Sequence, residues 1–188
     1  WKSRLHPAYY IPTGQKPNAR LAESNIGYDA RQELQSFADT LYNDSAWANA
    51  VQMNADSAGW GAFRSRPIPF FWHGEVKDYV SFHQTGNKIY CYLPYNAQAT
   101  PVLHIKANAA GKTIGIQSDC YPKSGTDYVM RYEYKTKTGE QEYEFPAWIN
   151  GHVIIYTVPE GVEVIRLAYR ETGYDCSLDG SFDSSDET

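Results

Sequence analysis

The spacing of hydrophobic positions changes along the chain. Leu34, Phe37, Ala38 and Leu41 recur at i, i+3, i+4 and i+7, the spacing of one helical face. Asp29 followed by Gln32 resembles a capping box, so a helix is predicted over 30–42. Asp44 to Met53 holds a second helical turn in this reading. From about Val76 the period becomes two. Tyr128, Met130, Tyr132 and Tyr134 alternate with Val129, Arg131, Glu133 and Lys135, which predicts a half-buried strand with one aromatic face. Thr138-Gly139 then separates it from Gln141 to Phe145, so the two runs are expected to form a hairpin. Leu103, Ile105 and Ala107 alternate with His104 and Lys106, Gly111 interrupts, and Thr113 to Gln117 resumes the pattern. Val153 to Tyr156 is a continuous apolar run, expected for a strand covered on both faces. Val158-Pro159-Glu160-Gly161 fits a type I turn ahead of a strand over Val162 to Tyr169.

The flanks read differently. Pro7, Pro12, Gly14 and Pro17 make residues 1–26 irregular. Gly59, Gly61, Pro67 and Pro69 mark 54–70 as a linker, with Arg66 to Pro69 extended because proline disfavours the α region in the residue before it. Ser184 and Glu187 have the S-x-x-E capping form, so a helix is expected to begin where the sequence stops, with more protein following. Short strands at this spacing, with no βαβ alternation, predict a mostly β chain: an antiparallel, jelly-roll-like β-sandwich with a short helical segment near the N-terminus.

Composition narrows the chemistry. A chain of 188 residues suits one good-sized domain, or one domain and part of another. A net charge of −5 with no Lys/Arg cluster argues against nucleic acid. No apolar run approaches the ~20 residues that span a bilayer. Cys91, Cys120 and Cys176 are far apart and odd in number, so they read as three buried small apolar residues rather than a disulfide framework. The 16 tyrosines and 5 tryptophans supply rings that favour strands and offer flat amphipathic surfaces.

No nucleophile elbow, Cys/His protease signature or phosphate loop is present; Gly111-Lys112-Thr113 lacks the upstream glycine. His6, His73, His83, His104 and His152 form no pair at metal-ligand spacing. The run Asp179 to Asp183 lacks the glycine and the glutamate of a calcium loop. Glu133, Glu142 and Glu144, on opposing arms of the predicted hairpin, read as solvated acids rather than a glycosidase pair. No catalytic residue, metal ligand or cofactor is therefore assigned. The remaining chemistry is aromatic. Trp60, Phe70, Phe71, Trp72 and Trp148 are the candidates for stacking on pyranose rings or for docking another domain, against packing in the core.

Four stretches carry a family resemblance: Trp148 to His152 (WINGH), Tyr156 to Val162 (YTVPEGV), Leu167 to Asp175 (LAYRETGYD) and Gly180 to Glu187 (GSFDSSDE). They resemble the segment ahead of the catalytic domain in bacterial α-L-rhamnosidases of glycoside hydrolase family 78, and Arg66 to Pro69 (RPIP) resembles that family's inter-module junction. The resemblance is good over 140–188, weaker over 60–140 and loose over 1–60. It implies β-sandwich modules placed before an (α/α)6 barrel, with inversion at rhamnose carried out by two acids of the barrel. Those acidic motifs are not in this sequence. The division it implies is 1–65 as the tail of a preceding module with helix and linker, 66–180 as the accessory sandwich, and 181–188 as the passage into the catalytic domain. The expected partners are that downstream barrel and a rhamnose-containing glycan. A glycan too large to import implies export of the parent protein. The leading reading is a non-catalytic module of a rhamnosidase; the alternatives are a stand-alone carbohydrate-binding module and a structural interaction domain.

Overall fold

A computed structural model describes residues 1–12, 25–53, 64–120, 131–175, 180–181 and 183–185. The strands are β1 (Lys2–Ser3), β2 (Tyr9–Tyr10), β3 (Ile26–Asp29), β4 (Ala48–Asn49), β5 (Phe71–Asp78), β6 (Ser81–Thr85), β7 (Lys88–Ala107), β8 (Thr113–Ser118), β9 (Arg131–Lys135), β10 (Gly139–Glu144), β11 (Ile149–Thr157) and β12 (Val162–Tyr174). β1 pairs with β4. The other ten form one sheet in the order β2-β3-β9-β8-β11-β7-β12-β5, with β6 and β10 also paired to β7. β3 and β9 run parallel and the other described pairs are antiparallel. The sheet thus takes strands from 9–10 and 26–29 as well as from 71–174.

β7 organises this sheet. Its first part, from Lys88, lies between β6 and β11, and its last part, to Ala107, lies between β12 and β10. The neighbours change at Ala99, which partners both Ile149 of β11 and Glu171 of β12. Period two holds on both sides of a break at Tyr95, which is exposed, and Thr100, which is buried: Ile89, Cys91, Leu93, Ala97, Ala99, Leu103, Ile105 and Ala107 are all buried. Pro94 falls within 93–96, where no ladder partner is present among the described residues, so its missing N–H leaves no gap in the ladder. Gly86, at φ +59, occupies the first position of the two-residue loop between β6 and β7, the place a type II′ hairpin reserves for glycine.

The rings of the core join the two groups of strands. Tyr134 of β9 packs on Tyr143 of β10 at 5.0 Å, and Tyr132 stacks on Phe145 at 5.3 Å. Tyr79, between β5 and β6, lies 5.2 Å from Tyr169 and shares a 2.7 Å hydrogen bond with the hydroxyl of buried Tyr156. Tyr10 clamps the far edge of the sheet. Its ring covers Gly27, where a Cβ would sit 2.3 Å from the ring; the Lys135 ammonium lies 4.3 Å from the ring centroid, and the hydroxyl donates to Glu133 at 3.1 Å.

Several expectations need correction. The helix over 30–42 is absent. Asp29 does cap, accepting from the Arg31 N–H at 3.1 Å, but only a 3-10 turn over Ala30–Gln32 follows. Ser36 then takes φ +54 and the chain continues in separate turns. Phe37 is exposed and Leu41 is 95% exposed; a short helix needs a surface on which to bury its apolar stripe, and among the described residues Ala38 and Leu41 find none. The helical turn within 44–53 is replaced by the bridge of Ala48–Asn49 to Lys2–Ser3. β9 and β10 do not form a hairpin: β9 pairs with β8 and β3, whereas β10 crosses to β7. The crossing is held by buried Gln141. Its side chain accepts from Tyr134 Oη (3.1 Å) and Lys137 N (3.0 Å) and donates to the carbonyls of Lys137 (2.7 Å) and Gly139 (2.8 Å). In β11, Ile154 and Tyr156 are fully buried but Val153 and Ile155 only half, so one face rather than both enters the core. The turn before β12 lies one residue later than expected, with Val162 N donating to Pro159 O at 3.3 Å and Gly161 at φ +79. Cys91 is buried, but Cys120, just past the end of β8, is exposed, and both are free thiols. Cys176, residues 128–130 of the predicted aromatic strand and the terminal residues 186–188 lie outside the described residues.

Two measurements check this account. Gln141→Ala leaves the buried Tyr134 hydroxyl, the Lys137 N–H and two half-buried carbonyls without their partner, so urea unfolding is expected to show a loss of about 2–4 kcal/mol. Alkali is expected to destabilise the fold. Burial pushes the Cys91 thiol up to about 12 and, in Tyr79 and Tyr156, holds both hydroxyls above the usual phenol range. A group whose folded pKa is raised gives stability that is complete below its unfolded value and lost as pH rises towards the folded one. The urea midpoint should therefore fall above pH ~8.5, where an unfolded thiol begins to ionise, and Cys91→Ala should remove the earliest part of that fall.

Candidate functional site

The end of the β5–β12 ladder carries the exposed rings. Residues 64–70 approach it without regular structure. Arg66 stays local, its Nε donating to the Ile68 carbonyl at 3.1 Å and its guanidinium lying 5.0 Å from the Phe70 ring centroid. The ladder closes where Asp175 N donates to Phe70 O at 3.2 Å. Phe71 then faces Tyr174 across the strands, Trp72 faces Gly173 and His73 faces Thr172. The Phe71 and Tyr174 rings stack at 4.5 Å with an interplanar angle of 15°, a favourable cross-strand pair.

Trp72 is seated by two glycines. Its ring crosses Gly74, where a Cβ would lie 2.4 Å from ring carbon Cζ3, and its indole nitrogen would be 3.9 Å from a Cβ at Gly173. A register shift between Arg170 and Thr172 lets the ladder bend here. Arg170 braces the bend. It donates to the Gly74 carbonyl at 2.5 Å and grips Glu144 of β10 with two bonds of 2.6 and 3.0 Å. Thr172 Oγ1 donates to the Trp72 carbonyl at 3.0 Å. On β12 beside these residues, Glu171 accepts from Tyr95 Oη at 2.6 Å and pairs with Lys77 at 3.4 Å.

Of the five aromatic candidates, three meet here. Phe70 is 75% exposed, Phe71 36% and Trp72 40%. Tyr174, not singled out by the sequence, joins them through its pairing with Phe71. Only strand register could reveal it, because the two residues, 71 and 174, are far apart in the sequence. Trp148 is half-buried ahead of β11, its carbonyl accepting the Tyr132 hydroxyl at 2.7 Å. Trp60 lies outside the described residues.

The acids contact basic or hydroxyl partners. Glu133 is buried, meeting Arg131 Nη2 and the Tyr10 hydroxyl. Burial first, and then the neighbouring Glu133 carboxylate, raises the Tyr10 pKa. His104 lies 2.7 Å from Glu140 and 3.4 Å from Glu142 on the β7–β10 ladder. Glu144 is the partner of Arg170. Asp29 accepts a side-chain bond from Arg31, which holds its pKa below the usual carboxylate range. The contacts of Glu144 with Arg170, of His104 with Glu140 and Glu142, and of Tyr10 with Glu133 cross-link strands; Arg131–Glu133 and Arg31–Asp29 are local. Among the described residues no cluster of three or more His, Cys, Asp or Glu is placed to hold a metal ion.

No family model matches the sequence, and no curated protein matches it either. Solved structures do match. A GH78 family rhamnosidase of Bacillus sp. GL1 aligns at 20% identity and a TM-score of 0.43, over 56% of this chain and 12% of that one. The α-L-rhamnosidase from Dictyoglumus thermophilum aligns at 19% identity and a TM-score of 0.56, over 76% of this chain and 18% of that one. The chain thus spans less than a fifth of the length of either protein. Over 76% of its length this chain shares its fold with one part of the D. thermophilum α-L-rhamnosidase.

Proposed function

We propose that the chain is a non-catalytic β-sandwich module of a glycoside hydrolase, an α-L-rhamnosidase whose inverting hydrolysis of terminal rhamnose takes place in a downstream domain. The observation that carries this reading is the fold shared with the D. thermophilum α-L-rhamnosidase. The sandwich is supported by the two sets of neighbours along β7 and by the rings that join them. Glu144 is held by Arg170 of β12, Glu133 by Arg131 and the Tyr10 hydroxyl, and Glu142 lies beside His104, which supports the non-catalytic part. In this reading residues 66–180 are the accessory module, and β2 and β3 of the preceding segment add to its sheet. We further propose that the parent protein is exported to meet its glycan.

A second reading rests on the exposed rings of Phe70, Phe71, Trp72 and Tyr174. A cluster of exposed rings on a folded domain is a surface for a sugar or for another domain. As a carbohydrate-binding module, the chain would use Trp72 and Phe71 to stack on a pyranose. As part of a larger enzyme, it would press the same rings against the catalytic domain.

Two experiments separate these readings. Incubated with an aryl rhamnoside, the 188-residue chain is expected to release no rhamnose, whereas a longer product of the same gene, extended past Thr188, is expected to release it. Turnover by the short chain that disappears on replacing Glu133 or Glu144 would overturn the non-catalytic assignment. For the second reading, a rhamnose-containing oligosaccharide is titrated against tryptophan fluorescence. A sugar platform predicts saturable binding weakened about tenfold, roughly 1.4 kcal/mol, in Trp72→Ala. Absence of saturation leaves domain docking as the role of these rings.

A further inference from the structure

Sheet edges differ in what they offer a second molecule. Among the described residues β2, β5, β6 and β10 each have one partner. An open edge is a template for another strand, and proteins protect such edges with charge, shortness or bulges. β10 carries Glu140, Glu142 and Glu144. β5 carries Glu75, Lys77 and Asp78 and is bent by a register shift. β2 is two residues long, with its Tyr10 ring held between Gly27 and Lys135. β6 has none of these devices. Ser81-Phe82-His83-Gln84-Thr85 carries no carboxylate, Lys, Arg or Pro, keeps an unbroken register with β7, and is exposed along its length.

The surface behind this edge is mostly apolar, with the Arg166–Asp78 ion pair (2.8 Å) also lining it. Phe82 stands opposite Cys91, and directly paired residues share a face. Cys91 is a core residue, so Phe82 points to the core side of the sheet, yet it is 74% exposed. It hangs over a cleft of about 410 Å³ between β6, β7 and β12, with Ile89, Cys91, Val164 and Leu167 among its lining residues. Ile165, at the register shift in β12, is exposed on the opposite lip, and Val80 is exposed beside β6. The cleft opens where β5 leaves the β12 ladder: β5 pairs only with 168–174, so 162–167 of β12 lack a strand on that side among the described residues.

The charge pattern identifies the occupant. When two copies pair edge to edge about a two-fold axis, each strand meets its own sequence running antiparallel. Like charges placed opposite one another destabilise the pair, so Glu140, Glu142 and Glu144 prevent β10 from pairing with itself. The net charge of −5 adds repulsion between copies. A foreign strand needs no neutral edge; self-pairing does, and β6 supplies it. We propose that the chain forms a two-fold dimer through antiparallel pairing of β6 with β6 of a second copy. The two Phe82 side chains and the clefts beside them then lie on the same face of the joined sheet, and Phe82 of both copies leaves water. This inference does not depend on the proposed function.

Sedimentation equilibrium of the 188-residue chain tests it, with Phe82→Lys as the disrupting variant and Phe70→Lys as the control in the other aromatic surface. The wild type is expected to pass from monomer to dimer with concentration. Phe82→Lys is expected to weaken association at least ~10-fold, because it would place an ammonium in the apolar patch that the pairing buries, and Phe70→Lys is expected to leave it unchanged. Circular dichroism checks that each variant is folded; if Phe82→Lys is not, Phe82→Ser replaces it, with weakening expected in the same direction. Amide hydrogen exchange at 81–85 is expected to slow as the dimer forms. A monomer up to concentrations of about 1 mM, or a dimer that no Phe82 variant weakens, overturns the proposal.

Discussion

The ladder of Lys88–Ala107 carries the rest of the structure. Four strands hydrogen-bond to it directly, two along its first part and two along its last. A strand has only two edges, so it can hold four neighbours only by exchanging one pair for another along its length. Ala99, buried and side-chain-poor, marks the exchange. Because the buried positions stay in phase on both sides of it, one apolar face serves both sets of partners. A one-residue slip would turn that face to water, and the tyrosine contacts that join the strand groups would separate with it.

The exposed aromatic surface depends on the same ladder, one strand further out. β12 carries Tyr174 and Gly173 to the place where β5 delivers Phe71 and Trp72. Gly74 leaves room for the indole, and Arg170, fixed to Glu144, ties the bend to β10. The ion pairs of the sheet act in the same way: they hold strands in register and line the edges with charge. The neutral edge at β6 and the cleft beside it stand out because the other edges are protected.

The alternation in 103–107, 113–117 and 162–169 was legible as strand, and so was its mostly β outcome, because a period of two is a local property of the chain. Pairing was not. The run 141–145 reads as the return arm of a hairpin, but Gln141 fastens the turn so that the strand crosses to β7. The stripe of Leu34, Phe37, Ala38 and Leu41 reads as a helix, but such a stripe stabilises a helix only where a surface receives it. Of the aromatic candidates, Phe70, Phe71 and Trp72 lie next to one another in sequence, and the structure exposes them together. Tyr174 is brought to them by register alone.

The sequence by itself determined the period of the strands, the glycines and prolines that end them, and the acidic, ring-rich character of the surface. These follow from residue type and spacing within a few positions. The tertiary structure decided which strands pair, which apolar positions find cover, and which rings remain in water. Those outcomes depend on contacts between residues tens of positions apart: Ala99 with both Ile149 and Glu171, Phe71 with Tyr174, and Phe82 with a cleft that β5 leaves uncovered. Local spacing carries no record of such contacts, because the free energy of burial depends on the neighbour that folding supplies.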